Sequence, residues 1–302
     1  MQLKFSYLLV VVGIVFKTVN ACATNELPGI PNTNNAKYVK KQISSKNGGN
    51  SILWKSNFDL LPALTEWQIK KIFFGTSNYQ FVQDEAGNFK HILRVAFPKG
   101  SWSPINTAKS GMAVGGLGFV ASCGIVPQDK LHLRYYVRFP SKFNFVKGGK
   151  LPGLYGGKGN SGGDQPDGTD GFSSRLMWRR NGDGEVYAYL PGSENKWGTS
   201  IGRGNWRFEP GRWYMLEQAV ILNSPGKNDG EIRLWVNEKL VIEQKKLRFR
   251  DVSQLKLDGI MFSTFFGGND QSWATPVTTY IDFAGFALGT DYIGPGGSQI
   301  FK

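Results

Sequence analysis

Between Gly148 and Pro191 the chain gathers side chains able to move protons and hold anions. Lys150 stands inside Gly148-Gly149-Lys150-Leu151-Pro152-Gly153-Leu154-Tyr155-Gly156-Gly157. Further on come Ser173-Ser174-Arg175-Leu176-Met177-Trp178-Arg179, the turn signal Asn181-Gly182-Asp183-Gly184, and Glu185-Val186-Tyr187-Ala188-Tyr189-Leu190. The last two runs read as antiparallel strands joined by a turn. Side chains repeat every two residues along a strand, so Ser173, Arg175, Met177 and Arg179 share one face, and Glu185, Tyr187 and Tyr189 share another. A five-residue loop sets Arg179 opposite Glu185 and Arg175 opposite Tyr189. A three-residue loop sets Asn181 opposite Glu185 and Arg179 opposite Tyr187. Either register collects Ser173, Arg175, Tyr187 and Tyr189 on one surface, whereas a four-residue loop would scatter them.

Such a set suits β-elimination in a uronic acid polymer. The reaction removes the C5 proton beside a carboxylate and expels the C4 oxygen. The developing carbanion is unfavourable unless the carboxylate charge is neutralised, which is work for Arg or Lys. Tyrosine can serve as base or acid when neighbours tune it, and lysine can act as a base when nearby cations depress its pKa. The residues alone do not say which of Lys150, Tyr187 and Tyr189 is base and which is acid. No metal or other cofactor is expected, and only 2 His and 2 Cys are present to ligate one.

The Gly-Gly-Lys-Leu-Pro-Gly-Leu-Tyr-Gly-Gly run, the Ser-x-Arg-Leu-Met-Trp-Arg strand and the Tyr-Ala-Tyr-Leu-Pro strand resemble polysaccharide lyase family 14. More loosely, the resemblance extends from Ser51 to Leu288 and includes Tyr135-Tyr136-Val137-Arg138-Phe139-Pro140. It implies a β-jelly-roll fold and cleavage of alginate or of a glucuronate polymer. It also implies that Lys150, Ser173, Arg175, Tyr187 and Tyr189 are the active-site residues. Arg179 and Arg138 are candidate substrate-binding residues.

Other residue types read more plainly. Lys130–Phe139 alternates, with Leu131, Leu133, Tyr135, Val137 and Phe139 on one side and His132, Arg134, Tyr136 and Arg138 on the other. The second side is either a basic, aromatic cleft for an acidic sugar chain or a solvated sheet face. His91 and His132 are isolated on strands and read as structural. Asp164, Asp167 and Asp170 lie in a glycine-rich loop but lack the oxygen-ligand spacing of a recognised calcium site.

The elements that must hold these residues are strands. Ten short alternating or apolar runs, His91–Phe97, Met112–Ser122, Lys130–Phe139, Arg175–Arg179, Glu185–Leu190, Trp213–Leu222, Glu231–Val236, Leu240–Lys245, Gly259–Phe266 and Thr278–Leu288, are punctuated by Gly, Pro, Asn and Asp. No run after Ser51 carries a helical stripe over three turns. With 39 glycines in 302 residues, turns are abundant. The expectation is an all-β jelly roll, a two-sheet antiparallel, concanavalin-like sandwich spanning 51–302 as one domain.

Residues 1–23 hold no acid, place Lys4 before an apolar run from Tyr7 to Phe16, and end on Ala21, Cys22 and Ala23. This is the pattern of a secretory signal peptide, so the protein is expected to be secreted. The apolar run is too short for a membrane span, which needs about 20 residues. Residues 24–50 read as a flexible polar leader. Removing Lys4 and Lys17 lowers the formal charge from +13 to +11. A basic exported protein points to an anionic polysaccharide rather than nucleic acid. A monomer is expected. Two other functions fit a sandwich: a non-catalytic acidic-polysaccharide binder, which needs no lysine and paired tyrosines together, and a glycoside hydrolase, which needs two placed carboxylates.

Overall fold

Alternating apolar residues become two layers of strands facing each other across an aromatic core. The structure, a computed structural model, describes residues 52–56, 58, 63–193 and 196–295. The expected signal segment 1–23 and leader 24–50 lie outside the described residues. Fifteen strands are described, β1 (Ile52–Lys55), β2 (Ile69–Phe74), β3 (Tyr79–Gln83), β4 (His91–Phe97), β5 (Leu117–Ala121), β6 (Lys130–Arg138), β7 (Gly148–Gly157), β8 (Gly171–Arg179), β9 (Gly184–Tyr189), β10 (Thr199–Ile201), β11 (Trp213–Ile221), β12 (Gly230–Val236), β13 (Lys239–Leu247), β14 (Gly259–Phe266) and β15 (Thr279–Gly289). One short helix, α1 (Pro104–Lys109), accompanies them. Among the described residues, one sheet has eight strands in the order β13-β12-β11-β6-β15-β4-β3, with β1 also on β15. The other has seven, β10-β9-β8-β7-β14-β5-β2. All pairings are antiparallel. The expected two-sheet antiparallel sandwich is the observed architecture.

The inner faces interlock through rings. Trp67 packs edge-on against Phe286 at 4.9 Å, and Phe119 stacks on Phe262 at 5.0 Å. Around Phe139, a second group joins Phe143, Phe145, Trp178 and Phe208. Such offset and edge-to-face pairs add to the area burial that holds the layers together. Behind the hairpin β8–β9, Gln218 of β11 bridges the layers: its amide donates to Ser174 Oγ at 2.9 Å and its oxygen accepts from the Leu154 N–H at 3.4 Å. Ser174 thus faces inward while its neighbours Ser173 and Arg175 face out. Cys123 is a buried, unbridged thiol at φ 51°, and burial pushes its pKa up.

On β6 the expected inner face is buried, with Leu131, Leu133, Val137 and Phe139 at 0% exposure. Its outer face is neither a sugar cleft nor solvated. His132 contacts Glu217 Oε1 at 2.9 Å, and Glu217 accepts the backbone N–H groups of Ile293 and Gly294. Tyr136 donates to the Pro295 carbonyl at 2.7 Å. The 293–295 segment therefore covers that face.

Candidate active site

Strand β7, half of it glycine, shows no alternation that marks it as a strand, and it carries Lys150. Lys150 pairs with Met177 and Leu151 with Leu176, after which Gly153 pairs with Arg175, leaving Pro152 as an extra residue. In a regular strand Lys150 and Tyr155, five apart, would point to opposite faces. The bulge at Pro152 turns both outward, Lys150 beside Met177 and Tyr155 beside Ser173. Proline suits the place because a bulge residue need not donate to the ladder. Gly153 is required by proximity: a Cβ there would lie 2.0 Å from the Ser174 carbonyl oxygen and 2.5 Å from Arg175 Cα.

The hairpin takes neither expected register. Arg175 pairs with Tyr187, Ser173 with Tyr189 and Met177 with Glu185. Trp178 pairs with Gly184, so the five enclosed residues are centred one position earlier than in the expected five-residue loop, on a 3-10 turn, Arg180–Gly182, with Asn181 at φ 61°. The shift is by two residues, so face assignments are preserved and Ser173, Arg175, Tyr187 and Tyr189 still share the outer face of the seven-stranded sheet.

Lys150 Nζ lies 3.8 Å from the Tyr187 ring centroid and 2.8 Å from the Met177 sulfur. Burial, with Arg175 and Arg179 nearby, holds its amine well below the ordinary lysine range, outweighing the opposite pull of Glu185. Arg175, 4% exposed, donates to Ser263 Oγ at 3.3 Å, and its Nε has no partner. Among the described residues no carboxylate pairs with it. Burial pulls its pKa down, and the ionisable phenol groups of Tyr189 and Tyr187 partly offset this. The Tyr187 phenol is pushed up to about 12 by burial and by the Tyr189 phenol next to it. The two rings meet edge-on at 5.8 Å. Tyr189 Oη accepts the Gly163 N–H at 3.1 Å, and Ser173 Oγ donates to the Asn160 carbonyl at 2.6 Å. The loop between β7 and β8 is thereby anchored on two of the candidate residues.

The structure thus brings Lys150, Ser173, Arg175, Tyr187 and Tyr189 together, and Arg179 borders them. Arg179 is held by Glu185 at 2.6 Å, with its guanidinium 5.7 Å from the Tyr187 ring centroid. The candidate role of Arg138 in substrate binding does not fit its position. It lies on the eight-stranded sheet, ion-paired with Asp84 and Asp282 at 3.0 Å each and stacked on Trp213 at 4.6 Å. His91 and His132 are on that sheet too. Glu185, fully buried, accepts from Arg179, Ser200 and Arg203. Burial alone would raise its pKa, yet these donors keep it lowered, so it is no proton donor for a hydrolase.

In the β7–β8 loop, Asp170 binds Lys158 and Asn160, Asp167 caps Thr169, and Asp164 accepts from Asn160. Among the described residues no three His, Cys, Asp or Glu side chains gather as a metal site. Sequence reasoning missed Ser263, which reaches Arg175 from β14, 88 residues away, and no local pattern marks it. A depression of about 690 Å³ lined by Ser141–Lys147, Arg180, Asn181 and Ser272 includes none of the five candidate catalytic residues.

Comparison with known proteins identifies the family. The sequence model "Polysaccharide lyase 14" matches residues 85–286. A crystal structure of a marine PL-14 alginate lyase from Aplysia kurodai is 30% identical with a TM-score of 0.67, over 80% of this chain and 100% of that one. The alginate lyase vAL-1 from Chlorella virus, 22% identical, covers the same shares with a TM-score of 0.64. An endo-β-1,4-glucuronan lyase from Trichoderma reesei is 11% identical, with a TM-score of 0.51 over 74% of this chain and 91% of that one. These last two likenesses concern the fold. No curated protein sequence matches the chain. The matched region contains the whole lysine–arginine–tyrosine group, and the chain belongs to polysaccharide lyase family 14.

Proposed function

We propose that this lyase cleaves alginate by β-elimination, leaving 4,5-unsaturated uronate ends. The observation that carries the reading is a lysine held toward its neutral form beside a buried arginine that has no carboxylate partner among the described residues. Arg175 would take the substrate carboxylate, which supplies the missing counter-charge and spreads the carbanion charge at C5. Neutral Lys150 removes the C5 proton. The electron pair forms the C4–C5 double bond while the C4–O bond breaks. The departing oxygen takes a proton from Tyr187, whose high pKa keeps it protonated at neutral pH. Proton return from Lys150 to the phenolate restores the site. Tyr189 and Ser173 hold the loop above it, and the chain's excess of Lys and Arg favours an anionic polymer.

Alginate is preferred over glucuronan because the relative at 30% identity is an alginate lyase, whereas the glucuronan lyase shares only the fold. Export of the enzyme rests on the acid-free, apolar start of the chain. Incubation with polymannuronate, polyguluronate and glucuronan, followed by ultraviolet absorbance of unsaturated ends, tests the reading. Activity on either alginate block is expected. Polymer binding without unsaturated ends from any of the three would replace it with a binding-module function.

A further inference from the structure

One exposed ring at the edge of the site has no part in the elimination. The stretch just before β10 runs along the outer face. Its residue Gly198 lies directly on the paired phenols, since a Cβ there would come 2.8 Å from the Tyr189 ring and 2.9 Å from the Tyr187 ring. The preceding Trp197 is 47% exposed. Its indole lies against Gly163, where a Cβ would be 3.3 Å away, and Gly163 is the residue whose N–H holds the Tyr189 hydroxyl. The two loops are tied where Gln165 Nε2 donates to the Lys196 carbonyl at 2.8 Å. Lys196 Nζ stands 5.6 Å from the indole centroid.

Exposure of a single large side chain is ordinary and by itself means little. Here the ring is braced by Gly163, is linked to the catalytic row through Gly163 and the adjacent Gly198, and has a cation beside it. A pyranose presents a face of C–H groups that packs on an indole, and a uronate adds a carboxylate for the ammonium. We infer that Trp197 and Lys196 form a sugar-stacking subsite, which holds the uronate residue next to the one that meets Lys150 and Arg175. The inference rests on the polyuronate reading above and adds a second point of substrate recognition to it.

The test uses the full chain in a Lys150→Ala background, so that alginate oligosaccharides of graded length bind without being cleaved. Calorimetric Kd values are compared for Trp197, Trp197→Phe and Trp197→Ala. Trp197→Ala is expected to weaken the longer oligosaccharides about tenfold, the scale of one lost aromatic contact. The shortest oligosaccharide that still binds should lose little, and Trp197→Phe should recover part of the loss. Because the ring is half exposed, the melting temperature should hold. Equal affinities at every length would overturn the subsite. So would a uniform loss at all lengths accompanied by a lower melting temperature, which would mark a loop brace, or loss of self-association in Trp197→Ala with binding intact, which would mark a contact between copies. Failure of the Lys150→Ala parent to bind any polyuronate would refute the function itself, and the subsite with it.

Discussion

Arg175 offers a prediction in which stability and activity move in opposite directions. Its guanidinium is 4% exposed, donates to Ser263 at 3.3 Å, leaves Nε without a partner, and has no carboxylate among the described residues. An ion removed from water without a counter-charge costs several kcal/mol, of which one neutral hydrogen bond returns about 1 kcal/mol. Arg175→Met keeps the length of the stem and removes the charge, at the expense of that hydrogen bond. The free enzyme should gain about 2 kcal/mol, which in a domain of this size raises Tm by roughly 4–8 °C. Turnover should fall to the assay floor, since nothing then neutralises the substrate carboxylate. Ligand-induced stabilisation should vanish as well. In a Lys150→Ala background an oligosaccharide at about 100 times Kd should add about 2.7 kcal/mol, and the additional Arg175→Met change should abolish that gain. Thermal melts with and without oligosaccharide, alongside the absorbance assay, read all three quantities. An Arg175→Met protein that melts below the wild type would refute the reasoning, because the arginine would then be a structural support rather than a charge waiting for its partner.

The remaining predictions concern protons and backbone. Because the lowered pKa of Lys150 leaves more neutral base at a given pH, the acid limb of kcat/KM should lie well below the usual lysine value of about 10.4. Lys150→Ala should remove unsaturated-end formation, and a rate profile in which activity rises only near the ordinary lysine value would count against this base. Tyr187→Phe keeps the ring that faces Lys150 but removes the proton donor, so kcat should drop about 10²–10⁴-fold with little change in Tm; near-normal turnover would assign the donation to another group. Gly153→Ala places a methyl 2.0 Å from the Ser174 carbonyl and should disrupt the β7–β8 ladder, seen as a lower Tm and poor activity. Burial would raise the Asp170 carboxyl, but donors from Asn160, the Asp167 backbone and Lys158 hold it at about 2. Its stabilising contribution is therefore present above the unfolded value near 3.9 and is lost as pH falls toward 2. Asp170→Asn should loosen the loop that holds Ser173 and Tyr189, with faster proteolysis in that loop as the readout.

Period-two alternation carried a large part of this protein in plain view. Together with short apolar runs it marked β4, β5, β6, β8, β9, β11, β12, β13, β14 and β15, and parity alone placed Ser173, Arg175, Tyr187 and Tyr189 together, because a register slip of two residues leaves every side chain on its face. What remained hidden depends on contacts between distant segments. The glycines of β7 hid a strand, since they stand where the backbone and rings of neighbouring strands approach too closely for a Cβ, and no local pattern reveals those neighbours. Only the bulge at Pro152, formed as β7 pairs with β8, turns Lys150 outward together with Tyr155. Arg138 and Arg175 look alike as strand arginines, yet packing gave one of them Asp84 and Asp282 and buried the other beside Ser263 with no carboxylate paired to it among the described residues. Residue types and spacing thus determined which groups were available for chemistry. The fold decided their protonation and charge balance, because desolvation and pairing depend on what the rest of the chain sets around each group.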